Sequence, residues 1–294
     1  MSAAPEISIV VAAVDAAATL APWLDAIRPQ LARHDVEVLI AAAGDEGLGL
    51  AAGDGGSGAD VRIVRGPAGA LVPSLWGAAL LEARGRIVAV TITPCVPAAD
   101  WLDAIAASYG ESPADGIGGV IDWSRSGSLA DRALHLVRYT PYLPPVAAGP
   151  VPEIAGDNGT YTGAALSGWR AEIAKDGFWE SEFNRAIRAR GGMLRVDPRI
   201  RVTHTHSYGP GAFSRQRFRH GRLFGRARRG GLGAGGRLVK AALAPTVPII
   251  MLVRALRLCA SRGRLDARTL LAAPLAAWFF CCWAAGEAVG LLRG

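Results

Sequence analysis

Apolar and polar positions along the first hundred residues alternate between two periods. Ile7 to Val14 is an unbroken apolar run, the pattern of a strand buried on both faces. Leu20, Trp23, Leu24, Ile27 and Leu31 then recur at helical spacing. Val36 to Ala43 reads as a second apolar strand, and Val61 to Val64 as a short third. A helix around Leu71 to Ala83, a strand over Arg86 to Ile92 and a helix marked by Trp101, Leu102 and Ile105 continue the series. Alternation of this kind predicts an α/β fold, a Rossmann-like and mostly parallel sheet flanked by helices.

The pattern changes after Tyr142. Pro141, Pro144, Pro145, Pro150 and Pro152 punctuate an irregular stretch, followed by the turn-forming Gly156-Asp157-Asn158-Gly159 and a helix from about Gly163. Phe178 to Arg190 reads as a helix, and Met193 to Val196 and Ile200 to His206 as two short strands. The C-terminal region is apolar in two blocks. Ala241 to Val253 contains Pro245 and Pro248 and falls short of the roughly 20 residues a bilayer requires. Leu270 to Leu292 is about long enough, with Glu287 its only charge. If both blocks spanned, the arginines of 254–268 and those of 215–229 would lie on opposite sides, against the positive-inside rule. The expectation is a first block in the membrane interface or re-entrant, and a second spanning or buried at the membrane. Packing of both helices on a soluble domain is the alternative. Two domains follow: an α/β domain over 1–230 and a membrane-associated helical region over 231–294.

Charge adds a partner. The formal net charge is +7, and seven arginines fall between Arg215 and Arg229. Such clustering points to an anionic partner, with Arg215, Arg217, Arg219 and Arg222 as the membrane- or anion-binding candidates. Interleaved Phe213, Phe218 and Phe224 would permit base stacking. No nucleic-acid module surrounds them, however, and the apolar tail favours a membrane, so no nucleic-acid partner is expected. Cys95, Cys259, Cys281 and Cys282 form no CxxC spacing and no disulfide framework, which fits a reducing, cytoplasmic compartment. The N-terminus lacks the basic segment and long apolar run of a signal peptide. Gly53 to Gly58 matches GxGxxG but precedes a strand where the dinucleotide fingerprint follows one, so it reads as a surface loop.

Five stretches, taken in order, resemble the inverting family 2 glycosyltransferases. They are Ile7 to Asp15, Val36 to Ile40, Arg84 to Val90 with Cys95 to Leu102, Gly156-Asp157-Asn158, and Phe178-Trp179-Glu180-Ser181-Glu182 through Gly192. The resemblance implies a GT-A-type fold with a nucleotide-sugar side and an acceptor side. It implies a general base at Glu180, with Glu182 the alternative, because inverting transfer needs one carboxylate to take the acceptor's proton. It also implies acceptor contacts at Asp157 and Asn158. Apart from the resemblance, Trp179 beside Glu180 is a candidate aromatic platform for a sugar, and Asp15 and Arg65 are the donor-side candidates. The residue-level alternatives are plain: carboxylates are favoured at any helix N-terminus, and Gly-Asp-Asn-Gly is a turn sequence in its own right.

The departures gather on the donor side. Ala12 stands where the family has proline, Asp15 where it has asparagine, Ala42 and Ala43 where it has acidic residues, and Leu75-Trp76 where it has Arg-Asn. Ile92-Thr93-Pro94 replaces the DxD that holds a divalent cation against the departing diphosphate. A Mn or Mg ion is therefore possible only without its usual ligands, and no cofactor is assigned. Arginines such as Arg65, Arg215, Arg217 or Arg219 could neutralise the leaving group instead. His204 and His206 share a strand face, and a different metal site with Glu180 or Glu182 is a minor option. The expected function is transfer of a sugar, from a nucleotide sugar or lipid-phosphate sugar, to a lipid-linked or envelope-glycan acceptor on the cytoplasmic face of the cell membrane. The alternative is an inactive homologue that binds a glycan, a lipid or a partner enzyme.

Overall fold

A computed structural model describes residues 4–44, 60–205 and 209–293. The glycine-rich loop and His206 lie outside the described residues. In chain order the elements are β1 (Ile7–Ala12), α1 (Ala16–Leu31), β2 (Val36–Ala43), β3 (Asp60–Gly66), α2 (Val72–Glu82), β4 (Ile87–Ile92), β5 (Cys95–Pro97), α3 (Trp101–Glu111), β6 (Gly116–Trp123), α4 (Leu129–Arg138), β7 (Gly149–Pro150), β8 (Asn158–Thr162), α5 (Gly163–Ser167), α6 (Arg170–Asp176), α7 (Glu180–Ala189), β9 (Leu194–His204), α8 (Pro210–Arg229), α9 (Ala234–Leu243), α10 (Val247–Ser261) and α11 (Ala267–Arg293). They form two compact units, 1–122 with 144–204, and 123–143 with 205–294. The division differs from the expected boundary at residue 230. Helix α8 is part of the second unit, and so is α4, which interrupts the first unit's sequence.

In the first unit the strand order is β3-β2-β1-β4-β8-β6-β9-β5, with β7 on β9. The apolar runs of β1 and β4 are buried along their whole length, as strands covered on both faces require. β1 pairs in parallel with β2 and β4, and β2 with β3. Beyond β4 the sheet turns antiparallel, at β4–β8, β6–β8, β5–β9 and β7–β9. The sheet is thus mixed, and the expected parallel character holds for its N-terminal half. Leu20, Trp23, Leu24, Ile27 and Leu31 of α1 are all buried. The two short strands expected at 193–206 form one strand, β9, running through Pro198.

The amino edge of the parallel strands is closed by one carboxylate. Glu37, 1% exposed, accepts hydrogen bonds from Ser8 Oγ at 2.5 Å, the Arg84 amide at 2.8 Å, and the guanidinium groups of Arg84 and Arg62, each at 2.7 Å. Burial works to raise its pKa. The hydrogen bonds outweigh that and hold it below the ordinary value.

The second unit is helical. Arg132 of α4 stacks 3.6 Å over the Trp123 ring and pairs with Asp266 at 3.1 Å. It also donates to Thr269 Oγ1 at 2.9 Å, so α4 is fastened to the start of α11. Arg262 donates to the carbonyls of Thr140 at 2.8 Å and Pro141 at 3.0 Å. Helices α8 and α11 meet through glycines. A Cβ at Gly221 or Gly225 would run into the carbonyl oxygen of Trp283 or Glu287, and one at Gly286 or Gly290 into that of Phe218 or Arg222. Two G-x-x-x-G stretches therefore face each other, and their backbones approach as only glycine allows. Glu287, the one charge of the second apolar block, pairs with Arg228 at 2.8 Å. Among the described residues two helical runs are long and apolar enough to cross a membrane: 28 residues over Ala234–Ser261 and 27 over Ala267–Arg293. The first contains the block Ala241–Val253, which by itself is too short.

Candidate functional site

In open α/β sheets the ligand crevice lies beyond the carboxyl ends of the parallel strands. In the first unit, residues from β1, β2, β4, α2, the 156–158 loop and α7 converge on that edge. β1 ends at Ala12, and the chain runs through Ala13 and Val14 to Asp15, which has φ 50° and precedes α1. Among the described residues Asp15 is the one non-glycine with positive φ, a conformation that Asp tolerates better than most residues.

Thr93 stands in the middle of the stretch that would carry the metal-binding aspartates. Its side chain is fully buried. Thr93 Oγ1 accepts from the Val14 amide at 3.0 Å and lies 2.6 Å from Thr19 Oγ1, which donates to the Val14 carbonyl at 2.7 Å. Two threonines thus staple the end of β4 to the β1 turn.

At the end of β2, Ala42 is buried and Gly44 adopts φ +62°. Arg65 donates to the Gly44 carbonyl at 3.1 Å, so this arginine lies on the carboxyl edge beside the β2 turn. Leu75 and Trp76 are buried. The Trp76 indole donates to the Thr91 carbonyl at 2.7 Å, and Thr91 Oγ1 donates to the Asp157 carbonyl at 2.9 Å. A Cβ on Gly156 would lie 2.8 Å from the Trp76 ring and 3.3 Å from Glu180 Cβ. Trp76, Gly156 and Glu180 are therefore in close packing.

Glu180 opens α7 and is half-buried, while Glu182 is exposed. Two residues apart on a helix, the two carboxylates point to different faces, and the one facing Gly156 is Glu180. Its helix is firmly seated. Asn184 donates to the Ile154 carbonyl at 2.8 Å and accepts from Tyr161 Oη at 3.1 Å. Phe183 and Phe178 meet edge-on at 5.4 Å, and each also meets Tyr161. The sequence pattern singles out neither Asn184 nor Thr19, because polar residues inside a core are found through their partners and not through periodicity. Trp179 is half-buried and donates to the Asp176 carbonyl at 3.0 Å.

Asp157 is buried beside this group. Asn158 is not on a cleft wall. It is fully buried in β8, where it accepts from Trp101 Nε1 at 2.9 Å and donates to the carbonyls of Val120 at 2.9 Å and Ile200 at 3.1 Å. Those bonds occupy both of its amide hydrogens, and a Cβ on Gly119 would collide with its side chain. Its role here is to tie α3, β6 and β9 together.

A divalent cation needs a cage of hard ligands. Among the described residues no three His, Cys, Asp or Glu side chains come together in a way that could hold one. Thr93 occupies the key position with its hydroxyl engaged, and His204 is buried opposite Cys95 in the β5–β9 pair. The described residues do not fit such an ion.

The arginine cluster belongs to the second unit. Arg215, Arg219 and Arg222 are exposed on α8. Arg217, expected among the anion-binding residues, is instead buried, with its guanidinium 5.0 Å from the Phe213 ring. The reason lies in the interface with α11: Phe213 sits 4.7 Å from Phe279, and Arg217, one turn on, points the same way. His220 is half-buried nearby, and desolvation together with the charges of Arg217 and Arg138 pushes its pKa down to about 4.

No protein-family model and no curated protein sequence matches the chain. Solved structures do. Mannosyltransferase PcManGT from Pyrobaculum calidifontis, in complex with GDP-Man and Mn2+, is 18% identical with a TM-score of 0.57, over 99% of this chain and 88% of that one. S. aureus TarS 1-349, in complex with UDP-GlcNAc, is 13% identical with a TM-score of 0.53, over 97% of this chain and 91% of that one. The chain has the GT-A glycosyltransferase fold.

Proposed function

We propose that this protein transfers a sugar with inversion, as family 2 glycosyltransferases do. The donor is a nucleotide sugar or lipid-phosphate sugar, and the acceptor a lipid-linked or envelope glycan at the cytoplasmic face of the membrane. One observation carries the reading: Glu180 is packed against the Gly156–Asp157 loop at the carboxyl edge of the parallel strands, on a helix locked by Asn184 and Tyr161. In the reaction the acceptor hydroxyl oxygen attacks the anomeric carbon while its proton passes to the Glu180 carboxylate. The bond from that carbon to the phosphate oxygen breaks, and the electron pair leaves with the phosphate. Negative charge developing there needs a cation. Arg65, on the same edge, is the guanidinium assigned to it, and no step runs through a metal. Asp15 and Asp157 are assigned to donor and acceptor contacts, and Trp179 to a sugar face. The C-terminal apolar helices and the exposed arginines of α8 support the membrane side of the reading.

A second reading, a homologue that keeps the fold without the chemistry, is favoured by Leu75, Trp76, Ala42 and Thr93. These buried residues stand where the family resemblance calls for polar donor contacts. Calorimetric titration with GDP-mannose, UDP-N-acetylglucosamine and polyprenyl-phosphate sugars, with and without Mn2+, separates the two. Transfer supports the first reading when binding is metal-independent and Glu180→Gln abolishes turnover with binding retained. Failure to bind any donor supports the second.

A further inference from the structure

The second unit leaves one long helical face uncovered. Over Ala234–Ser261 only 17% of the apolar window is buried, against 44% for α11. Ala244, Pro248, Ala255 and Cys259 form the inner stripe, spaced to face one way and packed toward α11, α4 and the turn Thr140–Tyr142. The outer face carries Leu238, Val239, Leu243, Ile249, Ile250 and Val253, all between 39% and 67% exposed. A patch of this size is foreign to a water-soluble monomer.

The charge around the patch has one sign. Between Asp197 and Asp266 the sequence holds no acidic residue. Arg237 precedes the patch, Lys240 lies in its first turn, and Arg254 and Arg257, both exposed, stand after it. At 1.5 Å per residue, Lys240 and Arg254 are about 21 Å apart along the helical run. The patch is thus an apolar surface bounded at both ends by cations.

Neighbouring helices limit how deep it can go. Helix α11 packs against α4 on one hand and α8 on the other. Arg215, Arg219, Arg222 and Arg226 of α8 are exposed alongside it. Drawing α11 through a bilayer in this packing would carry those arginines into hydrocarbon, which a helix centre tolerates poorly.

We propose that the α9–α10 face is a monotopic docking surface for an anionic bilayer. Leu238 to Val253 lie among the acyl chains at the interface, Arg254 and Arg257 meet lipid phosphates, and α11 rests on the membrane without crossing it. The surface deepens the membrane side of the proposed function, but its test uses no sugar, so either reading can fail alone.

The test is flotation of the full chain with phosphatidylcholine vesicles, with and without phosphatidylglycerol. The chain is expected to float with the anionic vesicles, less so as salt rises. Ile249→Asp with Ile250→Asp should abolish flotation, with circular dichroism unchanged because both side chains are exposed. Arg254→Glu with Arg257→Glu should weaken binding to anionic vesicles at least roughly 30-fold, at about fivefold per positive charge removed, and spare the residual binding to neutral ones. In membrane vesicles from cells, an epitope after Gly294 and the tryptic sites on α8 should be cleaved from the same side. The proposal is overturned by flotation that neither pair of substitutions changes, or by protection of the epitope while α8 is cut. It is also overturned by a non-floating dimer that the aspartate pair dissolves, which would give the face to a second copy of the chain.

Discussion

A Cβ on Gly156 would sit 2.8 Å from the six-membered ring of Trp76, so the 156–158 loop has room there for a hydrogen and nothing larger. Gly156→Ala should lower stability by about 1–3 kcal/mol, read as a fall in the urea midpoint at unchanged m-value. Adding Trp76→Phe should recover less than the lost contact suggests, since it also removes the bond to the Thr91 carbonyl. If Gly156→Ala is neutral, the packing of Trp76 on this loop is not as described.

Asn158→Ala would strand three buried groups: the Trp101 indole N–H and the carbonyls of Val120 and Ile200. Unsatisfied buried groups cost about 1–3 kcal/mol each, so a loss of about 3 kcal/mol or more is expected by urea unfolding. A residue whose work was to touch acceptor would show the opposite, with stability kept and only turnover lost.

Glu37 gives a pH dependence with a definite sign. Its folded-state pKa lies below the ordinary 4.5, so the stability it contributes is fully present above about pH 4.5 and is lost as pH falls through the depressed value. Glu37→Gln should be less stable than the parent at pH 7, and the gap should narrow on acidification below pH 4.5. Thermal melts of both proteins across that range test it. A gap that stays constant means the carboxylate is not held ionised by Ser8, Arg84 and Arg62.

At the glycine crossing, Gly286→Leu would drive a branched side chain into the Phe218 carbonyl. The backbones must part, with a loss of about 3 kcal/mol. Trp283, which meets Phe224 at 5.3 Å, reports the separation as a change in fluorescence. An unchanged spectrum and melting temperature would mean that α8 and α11 do not cross there.

Much of this was legible in the sequence, and the boundary has physical causes. β1, β2 and β4 are all-apolar runs, and α1 shows its five core positions, because burial there is achieved by hydrophobic side chains alone. β8 reads Asn-Gly-Thr-Tyr-Thr and was hidden, since its buried Asn158 and Thr160 are satisfied by hydrogen bonds that no periodicity reveals. β9 looked like two strands because Pro198 interrupts the pattern. In the fold Asp197 accepts from the Arg199 amide at 2.9 Å and the strand carries on. On the site, the position of Glu180 beside Gly156 follows the order of motifs. The filling of the carboxyl edge of the parallel strands by Trp76 and the threonine staple does not, because both depend on residues far apart in sequence. Arg217 looked like its exposed neighbours until the partner of α8 was known.

The interruption of the first unit by α4 bears on biogenesis. Arg132 leaves the ribosome 134 residues before its partner Asp266. At about 5–20 residues per second that is a wait of roughly 7–27 s, during which the side of α4 that packs on α11 is without that cover. The nascent chain therefore offers a sticky, half-made surface until α11 emerges, a natural foothold for a chaperone or for the membrane itself.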